Sequence, residues 1–321
     1  MNYGLRGEDS ERDEEFVKDL CRSRRIPLHL AKADPRAGGN LEETARNQRY
    51  QFLSGIAARG RMIIATGHNL DDQAETFLLN LARGAGYRGL SGMLPAREYR
   101  VDDGEKCRVI RPLLQVTRAQ ITGYLDQVGQ DFRTDKSNNS LEFDRNWIRH
   151  ELLPRLEERF NPGQSERIAR ASVLIGESTR FLEDEAVQRL EAISTNSSET
   201  LLQLSIAGIK GQPEVMQREM LRLALSRIKG NLTDITSRHL FAIQDLLDNQ
   251  SGRRVSIPGG IEARISFDHL ILGYPSEPPP HFEYTLSIPG SIDIPEVEKK
   301  LEIVPLPPPP VSYTHLRAHE T

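Results

Sequence analysis

One stretch constrains this chain more than any other. Residues 63–84 read IIATGHNLDDQAETFLLNLARG: the end of a short apolar run, a polar turn, then an amphipathic helix. The run Met62, Ile63, Ile64, Ala65 suits a buried strand and is too short for a core helix. Gly67-His68-Asn69 makes the turn, and the helix opens on Asp71, Asp72 and Glu75. A buried strand feeding a polar helix N-terminus is how an open α/β sheet builds a ligand crevice at its carboxyl edge. At about 100° per residue, Ala74, Phe77, Leu78 and Leu81 form the stripe expected to pack on the sheet. Asp71, Asp72 and Glu75 share an adjacent face, because positions three and four apart are helix neighbours. Capping and the helix macrodipole account for one or two acids at a helix start. Three acids preceded by a histidine exceed that need, and mark His68, Asp71, Asp72 and Glu75 as a candidate site.

The flanking sequence repeats the strand–helix alternation. An acidic helix with Ser10 as its expected cap and Phe16, Val17 and Leu20 as its stripe precedes a short expected strand, Ile26 to Leu30. A helix from Leu41 to Ala57 carries Glu43, Ala45, Arg46, Arg49 and Tyr50. After the acid-lined helix, a Gly-rich segment from Arg83 to Met93 leads to a strand, Arg108 to Ile110, ending at Arg111-Pro112. A helix from Arg118 to Gly129 closes this part, and the alternation predicts a parallel sheet with flanking helices.

From Asp144 the pattern turns helical. A helix with Arg145, Asn146, Trp147 and Arg149 is expected to end near Pro154, and a longer one runs from Gln164 to Ile193. A Ser/Thr/Asn loop, Ser194 to Thr200, separates these from helices at Glu214–Ile228 and Ser237–Leu247. Strands Arg254–Pro258 and Ile261–Phe267 flank Gly259-Gly260, a hairpin signal, and Leu270–Leu272 adds a third strand. The expected fold is therefore α/β, a Rossmann-like sheet followed by a mainly helical domain with a small β element. The expected domains are 1–143, 144–275, a linker with the start of a further domain at 276–310, and a non-native tail at 311–321. Ser276-Glu277-Pro278-Pro279-Pro280 is the stiff linker, and Tyr284–Ile294 and Leu301–Val304 read as strands beyond it.

Composition narrows the setting. At 321 residues and 36.3 kDa the chain can hold two or three cores. A net charge of −4 gives no global basic field, although a local arginine face is enough for phosphate contacts. Cys21 and Cys107 are too few and too far apart for a disulfide scaffold, a redox pair or a cysteine zinc site. With no membrane-length apolar run and no signal-peptide pattern, a cytoplasmic protein with no membrane partner is expected.

The order of motifs resembles the tRNA(Ile)-lysidine synthetase family of the N-type ATP pyrophosphatase (PP-loop) superfamily. The match runs through Tyr3-Gly4-Leu5-Arg6 with Ser10 and Asp13, Glu43-Ala45-Arg46 with Arg49-Tyr50, and Gly67 to Thr76. It continues through Arg83-Gly84, Gly89-Leu90, Gly92-Met93, Arg111-Pro112-Leu113-Leu114, Asp135-Ser137-Asn138, Arg145-Asn146-Arg149 and Asn161-Pro162. The resemblance covers about half the chain, and Glu214 to Gly273 is similar to the family's middle domain. It implies ATP-dependent ligation of free L-lysine to the wobble cytidine of a tRNA(Ile) with a CAU anticodon, through an adenylated cytidine. ATP and Mg2+ are the implied cofactors, and a homodimer is compatible with the reading.

Under the resemblance, Asp71, Asp72, Glu75 and His68 are the expected catalytic group, with His68 and Asn69 on nucleotide and Asp72 and Glu75 on Mg2+. Which acid serves as metal ligand, lysine partner or base stays open. Arg46, Arg49, Arg83, Arg111, Arg145, Asn146 and Arg149 are the expected substrate contacts. For Arg46 and Arg49 the alternative is a solvated helix face. For Arg145 and Arg149, spaced i,i+4, it is pairing with Asp144 or Glu151. Trp147 is expected in the core.

Two departures from the family stand out. The superfamily's phosphate loop, Ser-Gly-Gly-x-Asp-Ser, does not occur in these residues, and Met1 to Arg6 aligns with the end of the family's second strand. The chain is expected to be an inactive fragment whose phosphate loop lies upstream, and Val311 to Thr321 resembles translated adapter sequence. The competing expectations are a catalytically dead tRNA-binding paralogue and a PP-loop tRNA thiolase, the latter disfavoured by the lack of a cysteine set.

Overall fold

The computed structural model describes residues 1–4, 7–33, 41–60, 62–100, 106–134, 141–198, 200–275, 283–295 and 299–304. They divide into two compact units, Met1–Glu185 and Ala186–Thr321. Leu5, Arg6, Asp135, Ser137, Asn138, the linker and the tail fall outside the described residues.

The first unit begins with α1 (Glu8–Arg24), α2 (Leu41–Gly60), β1 (Ile64–Ala65), α3 (Leu70–Ala82) and α4 (Tyr87–Leu90). It continues with β2 (Ala96–Arg100), β3 (Lys106–Ile110), α5 (Arg118–Gln127), α6 (Asp144–Trp147), α7 (Leu153–Phe160) and most of α8 (Gln164–Ile193). Its sheet has the order β1-β3-β2, with β1 parallel to β3 in the register Ile64↔Val109 and Ala65↔Ile110. Thus the expected parallel pairing is present. β2, which the sequence did not reveal, joins antiparallel as a hairpin partner of β3. Its run Ala-Arg-Glu-Tyr-Arg is too polar to announce a strand, because it lies on the edge of this sheet. Ile64, Cys107 and Val109 bury against Tyr50 and Ala57 of α2, with Leu53 and Tyr99 packed around them.

Several local expectations are corrected. Ile26 to Leu30 forms no strand among the described residues; Ile26, Leu28 and Leu30 are exposed, and the pairing described nearby is one parallel bridge, Asn2↔Lys32. Gly7, not Ser10, caps α1, and Ser10 is buried within the helix. Leu81 is 52% exposed, whereas the buried residues of α3 are Gln73, Ala74 and Glu75, so its inner face is largely polar. Trp147 is 47% exposed and not core. The helix through Arg145 does not stop at Pro154. A π turn, Ile148–Leu152, joins α6 to α7, and the Leu153 N–H reaches back to the Ile148 carbonyl. Pro154, which has no N–H to give, sits where the hydrogen-bond ladder changes register. The division into units falls inside α8. The helices from 144 to 160, which the sequence grouped with a second domain, therefore lie in the first unit.

In the second unit, β4 (Ser194–Ser197) and β5 (Leu201–Ser205) occupy the expected Ser/Thr/Asn loop and the residues just after it. Then come α9 (Ile206–Lys210), α10 (Glu214–Lys229), α11 (Ser237–Leu246), β6 (Arg254–Ile257), β7 (Ile261–Ser266) and β8 (His269–Gly273). They build an antiparallel sheet of order β4-β5-β8-β7-β6. Leu202, Leu204, Ala263, Ile265, Leu270 and Leu272 point inward, and α9, α10 and α11 pack on the sheet. Gly259 and Gly260 take φ of 90° and 79°, the left-handed turn geometry that glycine permits. A separate antiparallel pair, β9 (Gly290–Ile294) and β10 (Lys299–Ile303), follows.

Candidate ligand crevice

Because β1 and β3 run parallel, the chain leaves both strands at the same sheet edge. The Thr66 N–H extends the pairing by one bond to the Ile110 carbonyl, at 3.0 Å. Gly67, His68 and Asn69 follow β1 at that edge, and Arg111 follows β3. Thr66, Gly67 and His68 join Arg46, Arg49, Tyr50 and Leu53 of α2 around a cavity of about 220 Å³. The sequence thus placed Arg46, Arg49 and His68 in one site, and their surroundings are shared.

The crevice wall holds buried polar atoms. Arg111 is only 4% exposed; its Nη1 donates to the Leu94 carbonyl at 2.6 Å, and its Nε is buried. The Tyr50 hydroxyl is buried too, and it faces the Arg111 guanidinium, whose charged form it favours. Burial pulls the Arg111 pKa below the ordinary arginine range. Tyr50 is held by stacking, with Tyr99 at 5.0 Å and an interplanar angle of 22°, and the Arg46 guanidinium lies 5.2 Å over its ring.

His68 is fixed by Thr66, whose hydroxyl lies 2.9 Å from Nδ1. Burial lowers its pKa below the usual histidine value; Asp72 opposes that shift, while Arg111, Arg145 and Arg46 add to it. Near pH 7 the ring is neutral, able to accept a hydrogen bond or a proton.

At the start of α3 the acids take different tasks. Asn69 caps the helix by accepting from the Asp72 N–H, and Asp72 Oδ2 accepts from the Asn69 N–H, both at 3.0 Å. Asp71 Oδ2 accepts from the Arg118 N–H at 2.7 Å and so satisfies the first turn of α5. Glu75 is fully buried. Its Oε2 accepts from Arg145 Nε at 3.0 Å and Arg149 Nη2 at 2.9 Å, and its Oε1 accepts from Arg149 Nε at 2.6 Å. Arg118 Nη2 lies 3.6 Å from Glu75 Oε1. Burial alone would depress the Arg149 pKa, but Glu75, with Asp72 and Asp71, outweighs it and holds the guanidinium above its ordinary value. Arg145 Nη2 also reaches the Asp72 carbonyl and the Thr76 hydroxyl, at 3.2 and 2.9 Å.

The i,i+4 pair Arg145 and Arg149 thus closes on Glu75, not on Asp144 or Glu151. Arg83 instead makes an exposed ion pair with Asp144 at 3.1 Å, and Asn146 is buried on α6. Sequence reasoning missed Arg118, Thr66 and the packing role of Tyr50. Arg118 had a legible signal as the first helical residue after the Leu113-Leu114 segment that follows β3.

These contacts test the expected Mg2+ site. A hard cation needs several free oxygens. Both Glu75 oxygens accept from guanidinium groups, and Asp72 Oδ2 is committed to the cap. Asp72 Oδ1 lies 3.4 Å from both Arg118 and Arg149. Among the described residues no group of three His, Cys, Asp or Glu could hold a metal. As placed, the Asp72 and Glu75 oxygens are engaged by guanidinium and backbone donors, an arrangement that does not suit Mg2+.

Residues 1–156 match the PP-loop domain family, and residues 204–271 match the TilS substrate binding domain. The tRNA(Ile)-lysidine synthase of Chlorobaculum tepidum is 36% identical over 274 residues, 81% of this chain and 77% of that protein. That of Dehalococcoides mccartyi is 34% identical over 318 residues, 96% of this chain and 67% of the relative. That of Geobacter sulfurreducens is 36% identical over 264 residues, 79% of this chain and 54% of the relative. The chain therefore spans between 54% and 77% of the length of these three relatives. Among solved structures, the U34-tRNA thiolase of Methanococcus maripaludis aligns over 52% of this chain and 57% of that one, with a TM-score of 0.41 and 16% identity. That likeness is too slight to support an inference about fold or chemistry. The sequence relatives and the two domain matches agree, and the chain belongs to the tRNA(Ile)-lysidine synthase family.

Proposed function

We propose that this chain serves ATP-dependent ligation of lysine to the wobble cytidine of a tRNA(Ile) with a CAU anticodon, and that the crevice at the β1 and β3 ends receives the reacting nucleotides. The carrying observation is the cavity lined by Arg46, Arg49, Tyr50 and His68, with the buried Arg111 guanidinium acting on both Tyr50 and His68. Such a wall is built for an anionic, hydrogen-bonding ligand. In the proposed reaction the cytosine carbonyl oxygen attacks the α-phosphorus of ATP and pyrophosphate leaves. A lysine amine then attacks the activated ring carbon, AMP leaves, and the new C–N nitrogen gives up a proton.

Arg46, Arg49 and Arg111 stabilise phosphate charge in this reading. Neutral His68 hydrogen-bonds the nucleotide or takes the proton from the attacking amine. Asp71 and Asp72 supply negative potential for the incoming lysine ammonium. Glu75 acts as a positioning residue by holding Arg145 and Arg149 against α3. No step is assigned to Mg2+.

Calorimetric titration of ATP into the chain tests the site. Arg49→Ala and Arg111→Met should each weaken binding about ten-fold or more, the effect of removing a charge-assisted hydrogen bond. Affinities equal to that of the unaltered chain would sink the assignment. Since no Ser-Gly-Gly-x-Asp-Ser sequence occurs among the 321 residues, this polypeptide alone is proposed not to adenylate cytidine. Lysine incorporation catalysed by it would overturn that part.

A further inference from the structure

The second unit carries two local costs along β7 and the turn that follows it, and neither serves its core. Phe267, in the turn between β7 and β8, is 87% exposed and holds φ at 53°. Left-handed backbone is costly for a bulky residue, and an aromatic ring in water gains nothing from burial. The turn is nevertheless fixed: the Phe267 N–H donates to Ser251 Oγ at 3.2 Å, and the Asp268 carbonyl accepts from the Ile206 N–H at 2.9 Å.

Three residues before Phe267 stands the second cost. Arg264 of β7 lies directly opposite Arg254 of the edge strand β6, and both are exposed. Like charges directly opposite on a sheet repel. Arg254 has Glu262 at 3.5 Å, but among the described residues no carboxylate pairs with Arg264. The tip acid, Asp268, lies 2.6 Å from the His269 ring. Beside these arginines the outward row continues through Ile271 and Gln203, with no acid in it.

We propose that this corner is an RNA-contacting site, in which an unpaired base stacks on Phe267 and backbone phosphates lie across Arg254 and Arg264. A nucleobase repays the exposed ring, and phosphate relieves the arginine repulsion. About 10 Å of strand separates the two features, so one RNA segment can use both. Phosphate contacts position while the stacked base senses strand state, which makes Phe267 the residue that favours unpaired over paired RNA. The inference rests on the tRNA substrate proposed above and specifies how the second unit meets it.

The test is binding of a fluorescent, unmodified CAU-anticodon tRNA transcript to the full chain across about 50 to 200 mM salt. Phe267→Ala should weaken binding about five-fold or more, with the salt slope kept, and Phe267→Trp should restore it. Arg264→Gln should lower the slope of log affinity against log salt by about 1. Phe267→Gly should raise the melting temperature while weakening RNA binding, opposite signs that a purely structural residue would not give. Wild-type affinity and slope in Phe267→Ala and Arg264→Gln would overturn the site while leaving the tRNA reading intact. Altered sedimentation of Phe267→Ala with unchanged RNA affinity would also overturn it, in favour of self-association. No RNA binding by the unaltered chain would overturn both.

Discussion

Arg149 grips Glu75 through both carboxylate oxygens, with Nε 2.6 Å from Oε1 and Nη2 2.9 Å from Oε2. The two residues are 74 positions apart, and the contact fixes the segment beginning at Asp144 onto α3. Glu75 is fully buried, while the side chains of Arg149 and Arg145 are 18% and 30% exposed. Glu75→Gln leaves two guanidinium groups facing a neutral amide. Because the arginines can partly rehydrate, the expected cost is about 2–4 kcal/mol, somewhat under that of breaking a fully buried pair. Urea unfolding measures it, and a loss below about 0.5 kcal/mol would show that the cluster is not structural.

His68 sets a pH dependence with a definite sign. Its folded pKa is lowered by burial, so between that value and the unfolded value of about 6.5 the unfolded chain binds more protons. The stability contribution is fully present above about pH 6.5 and is lost as pH falls through the folded pKa. An imidazole NMR titration should give a midpoint below about 6.5, and His68→Ala should flatten the stability profile in that window. A midpoint above that value would contradict the buried environment.

Gly92 sits where no side chain fits. Its φ is 65°, and an added Cβ would come within 2.6 Å of both Gln73 Nε2 and Ser172 Oγ. Gln73 is 2% exposed, accepts from the Met93 N–H at 2.8 Å and donates to Ser172 Oγ at 3.1 Å. Gly92→Ala combines backbone strain with a disturbed buried network, so about 2–4 kcal/mol should be lost, read by calorimetric melting. A melting temperature within a degree or so of wild type would mean the loop adjusts freely.

The two thiols should react at different rates. Cys107 is buried in β3 and burial pushes its pKa up, whereas Cys21 on α1 is half-buried. Since the thiolate is the reactive form, Cys107 should react only on unfolding. In a native thiol assay Cys21→Ser should abolish the fast phase. A fast phase surviving that change would place Cys107 within reach of solvent.

Elements with strong local signals were legible. The helix Gln164–Ile193 and the β6–β7 hairpin around Gly259-Gly260 follow from periodicity and turn chemistry, whereas of the apolar run Met62 to Ala65 only Ile64–Ala65 is strand and Met62 and Ile63 are exposed. Elements defined by their neighbours were not. β4 reads Ser-Thr-Asn-Ser and is a strand because β5 lies beside it, whereas Ile26 to Leu30 reads as a strand and is not one among the described residues. Hydrophobic pattern reports what a segment could bury, not whether a partner is present to bury it. The same limit explains Leu81, which continues the α3 stripe in sequence yet lies in solvent.

By itself the sequence determined the helix that carries Asp71, Asp72 and Glu75, the turn that sets His68 before it, and the ordered motifs of the family. Those follow from local geometry, since helical spacing fixes which residues share a face. Only the tertiary structure decided what each acid does: Asp71 caps α5, Asp72 closes its own helix start, and Glu75 turns inward to Arg145 and Arg149. A carboxylate's role depends on which donors reach it, and here most of those donors come from chain 46 to 74 residues away.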